Sequence, residues 1–440
     1  MKRSVSPALV PVYPIGSRVN HLGHLEIGGC DLVELAAQFG TPAFIVAEDD
    51  LRARARAYVD GLRALAPDSD VLFASKAFPC TAVYRLLAQE GLSCDVASGG
   101  ELYMALRGGF DPARIYLHGN AKSLAELRYA LEARVGHIVL DSLDDVDRLE
   151  LVAAECGVRQ EVLIRVTPDV HGDTHAAIST GQADSKFGFG LAQAPHAIER
   201  VASSPHLRLV GLHCHIGSQL MALEPFSRAV AALAGLGEFD VYNLGGGLGA
   251  AYQRSAEPPS ISDYVGNLVA AAHLAFGAGR RLLIEPGRSL VANSTVTLYT
   301  VQTVKRNVST WVAVDGGMSD NLRPMLYGAQ YEVALANRML DGVTDTCQIA
   351  GKHCESGDVI ARDVRIPQPV PGDLIVTPAT GAYGYAMANN YNGVPRPPVI
   401  FCSHGDARVV VRRETYGDLV ARDVDLSNQG ANVAGAKEDE

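Results

Sequence analysis

Residues 243–249, which read NLGGGLG, contain three consecutive glycines. Because glycine has no Cβ, the backbone amides of such a segment can approach an anion closely, as a phosphate-binding loop requires. The segment lacks the Gly-Lys-Ser/Thr sequence of a Walker loop. Farther along the chain, Arg288 in EPGR could pair with a phosphate or with a substrate carboxylate. These residues indicate an anion site, although a tight turn would also account for the glycines.

A lysine, a carboxylate and two histidines could complete a cofactor site with this segment. Lys76 lies among small and apolar residues in FASKAFPC, which predicts a lowered pKa and an amine available for a Schiff base, although a surface lysine has similar neighbours. Glu285 could pair with Arg288 or hold a proton on a heterocyclic nitrogen. His213 or His215 could stack on a ring. Together these features indicate pyridoxal phosphate.

The elements that must position these residues alternate between short β-branched runs and amphipathic helical runs from about residue 42 to 290. After a lead-in strand at 42–47 and a helix, eight strands are predicted, at 71–76, 93–98, 114–119, 137–142, 162–167, 209–217, 241–247 and 282–288. Eight strand–helix repeats in about 245 residues match a (β/α)8 TIM-type barrel. A doubly wound sheet has similar local patterns, but each predicted strand ends in a polar residue, and a barrel gathers such ends on one face.

Beyond residue 290 the pattern changes to strand-like runs with few convincing helices. We therefore predict an α/β protein in which the barrel is followed by a second, all-β (β-barrel-like) domain. The barrel is expected at 46–290 and the β domain at 1–45 and 291–425, with HLEIGG (24–29) adding a strand to the β domain. The polar, acidic segment 426–440 is expected to be a disordered tail.

The composition restricts the class of protein. Of the 440 residues, 48% are hydrophobic and 20% charged, which allows a large core and excludes a mostly disordered chain. The net charge of −11 argues against nucleic acid or an anionic membrane as a partner. We find no apolar run that could span a membrane and no signal peptide, so a cytoplasmic protein is expected. The cysteines form no CxxC pair, and no metal site is expected.

Nine motifs occur in one order along the chain: FASKAF, HGNAKS, STGQADSKFGFG, GLHCHIGSQ, NLGGGLG, EPGRSLVA, SDNLRPMLYGAQY, CESGD and GAYGYAMANNYN. From about residue 40 to 420 they resemble the diaminopimelate decarboxylase family, among the fold type III pyridoxal-phosphate decarboxylases. The resemblance implies a homodimeric carboxy-lyase of lysine biosynthesis with active sites shared between subunits. It would use pyridoxal 5'-phosphate to convert meso-2,6-diaminopimelate to L-lysine and CO2.

The resemblance also implies roles in cofactor binding. Lys76 would form the Schiff base, His215 would stack on the pyridine ring, and Glu285 would pair with the ring nitrogen and keep it protonated. Asp95 and Arg165 would support the lysine and the cofactor face. The other implied cofactor-binding residues, chiefly on the phosphate side, are Ser218, Gly245, Gly246, Gly247, Gly287, Arg288 and Tyr383.

For the substrate, the resemblance implies that Cys354, from the β domain of a partner subunit, reprotonates the carbon that lost CO2. A thiol suits that role because its pKa lies near neutrality, although most cysteines are simply buried. Glu355 would recognise the distal ammonium group. Arg323 and Tyr327, four residues apart on one helical face, would bind the far carboxylate, although a solvated arginine and a packed tyrosine would have the same spacing. Further substrate contacts are implied for Arg288 and Tyr383.

Other functions fit the sequence less well. The glutamate in CESGD resembles the diaminopimelate group more than the ornithine or arginine groups, whose pattern has aspartate there. A paralogue could decarboxylate another amino acid, free or bound to a carrier protein, in secondary metabolism, but a carrier-bound substrate would give Arg323 no free carboxylate. A non-catalytic regulator would be expected to have lost Lys76 or Cys354, and both are present. An amino-acid racemase fits CESGD and LYGAQY poorly.

Overall fold

The computed structural model describes residues 9–170 and 185–424. The predicted tail at 426–440 and the first part of STGQADSKFGFG, 179–184, lie outside the described residues. Among the helices that are described, none combines the length and the apolar character needed to cross a lipid bilayer.

The chain begins with a small antiparallel sheet of three short strands. The first elements are β1 (Arg18–Val19), β2 (Leu25–Ile27), β3 (Cys30–Asp31), α1 (Leu32–Phe39) and β4 (Ala43–Ala47). The strand predicted at 24–29 exists as β2, but it pairs with β1 and β3 rather than with the large β-domain sheet. Gly28 and Gly29, with φ of 57° and 82°, turn the chain back directly after β2, so the hairpin closes on itself. The amide of Leu25 still links β2 to the β domain by donating to the carbonyl of Ala336 at 2.8 Å.

A parallel sheet that follows closes into a barrel. Its strands are β5 (Asp70–Ala74), β6 (Ser93–Val96), β7 (Ile115–Leu117), β8 (His137–Leu140), β9 (Gln160–Thr167), β10 (Phe189–Gly190), β11 (Leu207–Cys214), β12 (Val241–Asn243) and β13 (Arg281–Ile284). The two-residue β10 lies beside β9. The other eight are ordered β9-β11-β12-β13-β5-β6-β7-β8, and β8 pairs with β9 to complete the ring. The predicted (β/α)8 barrel is therefore confirmed, and the open doubly wound sheet is excluded.

Helices precede, connect and follow the barrel strands. They are α2 (Glu48–Leu65), α3 (Thr81–Gln89), α4 (Gly99–Gly108), α5 (Leu124–Glu132), α6 (Leu143–Cys156), α7 (Ala194–Ala202), α8 (Glu224–Leu233), α9 (Ile261–Phe276) and the short α10 (Arg288–Val291). Four of them begin after a serine whose side chain accepts from the amide three residues later: Ser98, Ser123, Ser142 and Ser260. Each serine pairs an amide that the helix itself leaves unpaired, which sets where the helix begins and how long the preceding loop is.

Inside the barrel, seven strands each contribute one buried side chain to a cluster separate from the rest of the core. These side chains are Leu72, Tyr116, Val139, Leu163, Val210, Val241 and Leu283. A barrel interior is filled by such layers of side chains, so the barrel is a packed support and not a pore. The reactive residues must therefore lie beyond this layer, at the strand ends.

The second part of the chain forms a mostly β domain. Its elements are β14 (Thr295–Arg306), β15 (Thr310–Val314), α11 (Arg323–Tyr327), β16 (Ala334–Leu335), β17 (Asp345–Ala350), β18 (Val359–Ile366), β19 (Leu374–Pro378), β20 (Val399–Ser403), β21 (Asp406–Val411) and α12 (Tyr416–Leu419). The strand order is β18-β17-β15-β14-β4-β20-β21, and β19 pairs with β14 and β16. Since β4 precedes the barrel and β14 follows it, the chain enters and leaves the barrel through one sheet.

Candidate active site

A cleft opens where the carboxyl ends of the barrel strands meet a loop of the β domain. It is lined by Ala74, Lys76, His215, Ser218, Gly247, Glu285, Gly287, Arg288, Tyr327, Tyr383 and Met387. All of these except Ala74 and Met387 are residues that the sequence singled out. The face of the barrel that usually holds active sites thus gathers residues from distant parts of the chain.

Lys76 lines this cleft from a short 3-10 turn, Ser75–Ala77, directly after β5, and its side chain is exposed to the cleft. The surrounding protein opposes its charge, but Asp95, Tyr383 and Glu285 outweigh that effect and raise its pKa above the ordinary value. The lowered pKa expected from the sequence is therefore wrong for the cleft as it stands. The apolar neighbours in the chain suggested burial alone, whereas two carboxylates from other strands also face the ammonium group.

A buried group of polar side chains surrounds Glu285 at the end of β13. Its Oε1 accepts from Nδ2 of Asn243 at 2.7 Å and lies 3.0 Å from Nε2 of His118, and its Oε2 lies 3.3 Å from Nε2 of His213. Burial favours the neutral acid, but the two histidines hold the pKa of Glu285 well below its ordinary value. Glu285 is therefore an ionised carboxylate directed into the cleft.

The two histidines beside Glu285 differ in charge. Burial opposes protonation of both, but Asp95 and Glu285 raise the pKa of His118, whereas burial lowers that of His213 to about 4. His118, His213 and Glu285 also place three possible metal-ligand atoms within 4.8 Å of one another. These atoms already face one another as an ion pair and a hydrogen bond, which gives the cluster a role without a metal.

His215 is the second histidine of the GLHCHIG strand end, and it lines the cleft. The Gly246 amide donates to its Nδ1 at 3.2 Å, so this nitrogen carries no proton. Burial, together with the charges of Lys76 and Arg165, holds the pKa of His215 well below its ordinary value. The ring is a neutral, flat surface beside Lys76, whereas His213 is 1% exposed and does not line the cleft.

The glycine segment after β12 contributes to the cleft unequally. Gly247 lines it, with φ of 124°, and a Cβ there would lie 2.6 Å from the Gly217 carbonyl oxygen. A Cβ at Gly246 would lie 2.0 Å from the carbonyl oxygen of Glu285. Gly246 is therefore needed because the backbones of neighbouring strands touch there, and Gly247 is the member of the triplet that reaches the cleft.

Arg288 lines the cleft together with Ser218. Its Nε and Nη2 donate to Oγ of Ser218 at 3.1 and 2.8 Å, and its guanidinium carbon lies 4.9 Å from the centre of the Tyr383 ring. Tyr383 belongs to the β-domain loop after β19, and its amide donates to the carbonyl of Ala77 at 2.9 Å. This hydrogen bond joins the β-domain loop to the turn that carries Lys76.

The two residues expected to support the lysine and the cofactor face, Asp95 and Arg165, lie on other strands of the barrel. Asp95, at the end of β6, has a pKa raised to about 6 because it is buried, although His118 opposes this shift. Arg165 on β9 is buried, lies 3.8 Å from Asp141 and stacks at 4.4 Å on the ring of Phe187. Neither Asp95 nor Arg165 lines the cleft, so both act on Lys76 through charge rather than as cleft walls.

Arg323 and Tyr327 occupy the short helix α11. Tyr327 lines the cleft, whereas Arg323 is 5% exposed and donates to the hydroxyl of Tyr331. The Arg323 guanidinium carbon also lies 4.5 Å from the centre of the Tyr252 ring. Tyr252, in a loop after β12, and Tyr331 were not identified as site residues from the sequence. Nothing in the residue pattern around Tyr252 indicated a contact with two arginines.

Cys354 and Glu355 lie on a different surface. Both are exposed, and neither lines the cleft that contains Lys76. The Cys354 amide donates to Oδ1 of Asn392 at 2.9 Å, and the hydroxyl of Tyr391 donates to Glu355 at 2.5 Å. Within one chain, the described residues do not bring this pair to the lysine.

Known proteins are similar to this chain over most of its length. Residues 48–292 match the family model "Pyridoxal-dependent decarboxylase, pyridoxal binding domain". The diaminopimelate decarboxylase of Bacillus subtilis is 46% identical over 427 residues, covering 93% of this chain and 97% of that protein. The chain belongs to the diaminopimelate decarboxylase family. The diaminopimelate decarboxylase of Mycobacterium tuberculosis is 44% identical over 439 residues, covering 94% of this chain and 98% of that protein.

Solved structures of this family share the whole fold. The diaminopimelate decarboxylase of M. jannaschii in complex with L-lysine has a TM-score of 0.87 and 33% identity, covering 94% of this chain and 98% of that one. The diaminopimelate decarboxylase of Helicobacter pylori, also complexed with L-lysine, has a TM-score of 0.84 and 30% identity, covering 89% of this chain and 98% of that one. The family resemblance found in the nine motifs is thus confirmed over both the barrel and the β domain.

Proposed function

We propose that this protein is a pyridoxal 5'-phosphate-dependent decarboxylase that converts meso-2,6-diaminopimelate to L-lysine and CO2. The observation that carries the proposal is the meeting of Lys76, Glu285 and Arg288 in one cleft of a chain that belongs to the diaminopimelate decarboxylase family. An amine, an ionised carboxylate and an anion-binding arginine are the groups that this cofactor requires.

The residues present fit the cofactor at both ends. Arg288, Ser218 and Gly247 would hold its phosphate. Gly287 leaves room in the cleft because it has no side chain, whereas a Cβ at position 287 would lie only 3.1 Å from the Ala74 Cβ. Glu285 would hold a proton at the pyridine nitrogen, and His215 would lie against the ring. When bound, the cofactor supplies an electron sink for the carbanion that loss of CO2 leaves.

The electrostatics of the chain's own residues support this assignment. His118 and His213 keep Glu285 ionised, so it can hold a proton on a ligand nitrogen. The neutral His215 can pack on a ring without adding charge beside Lys76. Lys76 is held near carboxylates as an ammonium group, and it must lose that proton before its Nζ can act as a nucleophile.

At the substrate end, Arg323 would bind the distal carboxylate, with Tyr327 in the cleft wall. Within the described residues Arg323 forms no ion pair, and its Nε has no hydrogen-bond partner. A buried guanidinium without a carboxylate partner is suited to bind a carboxylate supplied by a ligand. A substrate with a second free carboxylate is therefore favoured over one tethered to a carrier protein.

We further propose that the active enzyme is a homodimer in which Cys354 and Glu355 complete the site of the partner subunit. Both residues are exposed on their own chain and absent from the cleft of Lys76, as a shared site requires. The Cys354 Sγ would deliver the proton to the carbon that lost CO2, and Glu355 would pair with the distal ammonium group of the substrate.

The direct test is incubation of the purified, cofactor-loaded protein with meso-diaminopimelate, L-lysine, ornithine and arginine, with CO2 and product identified by mass spectrometry. We expect CO2 and lysine from diaminopimelate and little from the others. The Lys76→Ala variant should lack the visible absorption band of the wild type, which borohydride should abolish. A wild type without this band after reconstitution would refute the cofactor assignment, and preference for another amino acid would refute the substrate.

A further inference from the structure

Tyr252 lies between the two arginines of the site and contacts both with different parts of its side chain. Its hydroxyl accepts from Nη1 of Arg288 at 2.6 Å, and its ring centre lies 4.5 Å from the guanidinium carbon of Arg323. Tyr252 is 8% exposed, and both arginines are 5% exposed. One buried aromatic residue therefore separates the two positive charges that would bind cofactor and substrate.

The hydroxyl contact completes the anchoring of Arg288. A guanidinium has five N–H donors. Nε and Nη2 each use one on Ser218, and Nη1 uses one on Tyr252, which leaves one donor on each terminal nitrogen. Two parallel donors match a phosphate or carboxylate group. Without the hydroxyl, the Nη1 side of Arg288 would lose its protein partner, and the direction of this pair would be less well defined.

The ring contact supports Arg323 in a different way. The guanidinium of Arg323 packs on the face of Tyr252, and its hydrogen bond goes to the hydroxyl of Tyr331 instead. The rings of Tyr252 and Tyr331 meet edge to face, 5.2 Å apart at 82°, so each restrains the other. Arg323 therefore packs most closely on the ring of Tyr252, whereas Tyr331 supplies the hydroxyl and a more distant ring, whose centre lies 5.6 Å from the guanidinium carbon.

Charge explains why tyrosines rather than carboxylates hold these groups. Among the ion pairs of the described chain, none involves Arg288 or Arg323. A carboxylate would neutralise an arginine and compete with a ligand anion, whereas a phenol or a ring face stabilises the cation and leaves its charge available. The two arginines also lower the pKa of Tyr252. Burial alone would raise this pKa, but the positive charges of Arg288 and Arg323 outweigh the effect of burial.

We propose that Tyr252 is a positioning residue that holds Arg288 through its hydroxyl and Arg323 through its ring, and so sets the spacing of the two anion-binding groups. The inference rests on the proposed function, in which Arg288 faces the cofactor phosphate and Arg323 the distal carboxylate. Tyr252 then contributes both to cofactor retention and to the selection of a substrate with a second carboxylate, without touching the reacting carbon.

Three variants separate the two contacts. Tyr252→Phe removes the hydroxyl and keeps the ring, Tyr252→Leu removes both, and Tyr331→Phe is the matched control that removes a hydroxyl from Arg323 alone. Cofactor retention is measured from the loss of visible absorbance when the holoenzyme is dialysed. The carboxylate contact is measured from the inhibition constants of L-lysine, which keeps the distal carboxylate of the substrate, and of 1,5-diaminopentane, which has none.

For Tyr252→Phe we expect cofactor affinity to fall about tenfold, since one hydrogen bond to the charged Arg288 is lost, while the ratio of the two inhibition constants changes less than in Tyr331→Phe. Tyr331→Phe should do the opposite, with lysine binding weakened and cofactor retention unchanged. Tyr252→Leu should change both. Retention by Tyr252→Phe equal to that of the wild type, or equal effects of Tyr252→Phe and Tyr331→Phe on both readouts, would overturn the proposal.

The proposal can still be tested if one variant does not fold or if the proposed function is wrong. If Tyr252→Leu does not fold, as judged by its melting curve, the crossed effects of the two phenylalanine variants decide the question alone. If the wild type retains the cofactor but does not decarboxylate diaminopimelate, the proposed function fails. The cofactor readout of Tyr252→Phe then still tests the contact with Arg288.

Discussion

The side-chain amide of Asn243 donates a 2.7 Å hydrogen bond to the carboxylate of Glu285, and both residues are buried. The other end of the same amide accepts from the Gly245 backbone at 3.1 Å, so its orientation is determined by the turn after β12. A buried carboxylate is costly unless it is hydrogen-bonded. Asn243 therefore links the glycine turn to the carboxylate that faces the cofactor site.

From this arrangement we expect Glu285→Gln to lower kcat by roughly 10²-fold or more, because a neutral amide cannot stabilise a proton on the cofactor nitrogen as a carboxylate does. Asn243→Ala should have a smaller effect, of about tenfold, because it removes one hydrogen bond to Glu285 and keeps the charge. Steady-state kinetics with cofactor content checked by absorbance provide the measurement. Equal losses in the two variants would mean that the charge of Glu285 is unimportant.

Replacing Arg323 by alanine should reduce kcat/KM for diaminopimelate by at least about tenfold, since a charge-assisted hydrogen bond is worth on the order of 1.5–3 kcal/mol. Inhibition by 1,5-diaminopentane, which has no carboxylate, should change little. Both quantities come from one set of initial-rate measurements. If inhibition by the diamine weakened by the same factor as kcat/KM for diaminopimelate, Arg323 would have a structural role instead of binding the distal carboxylate.

Shared sites predict that inactive variants complement each other. Homodimers of Lys76→Ala and of Cys354→Ala should each be nearly inactive. After subunit exchange at equal amounts, about half of the dimers are hybrids with one intact site of two, so roughly a quarter of wild-type activity should return. Two differently tagged chains report whether exchange occurred. Exchange without recovered activity would show that Lys76 and Cys354 do not combine across subunits.

The buried Asp95 predicts a pH dependence of stability. Burial raises its pKa to about 6, whereas in the unfolded chain the value is about 3.9. Between these values the folded protein binds a proton that the unfolded chain does not, so this residue makes the protein less stable as pH rises from about 4 to 6. The integrated effect is on the order of 3 kcal/mol.

Asp95→Asn removes that titration. The melting temperature of the cofactor-free variant, relative to the wild type, should therefore increase between pH 4.5 and 7.5. Asp144→Asn, the same substitution at an exposed position, is the control and is measured over the same pH range. A melting-temperature difference for Asp95→Asn that does not change with pH would show that the Asp95 carboxylate is ionised throughout this range.

Much of the site could be predicted because it depends on repeating local patterns. The alternation of strands and helices predicted the barrel, and a barrel brings the carboxyl ends of its strands together on one face regardless of how individual side chains pack. Lys76, Glu285 and Arg288 were therefore expected on one face, and all three line one cleft. The motif resemblance likewise identified the family, because motif order along the chain is a property of the sequence itself.

Other features depended on contacts between segments far apart in the chain, which no local pattern encodes. Tyr252 was missed because its partners, Arg288 and Arg323, lie 36 and 71 positions later and meet it only in the folded chain. Arg288 approaches it within the barrel, and Arg323 approaches it where the β domain packs on the barrel. The direction of the Lys76 pKa shift was wrong for the same reason, since Asp95 and Glu285 approach it from other strands. Sequence determined which residues lie at the strand ends, and tertiary packing decided which charges face one another, because electrostatic interactions depend on distance in space and not on distance along the chain.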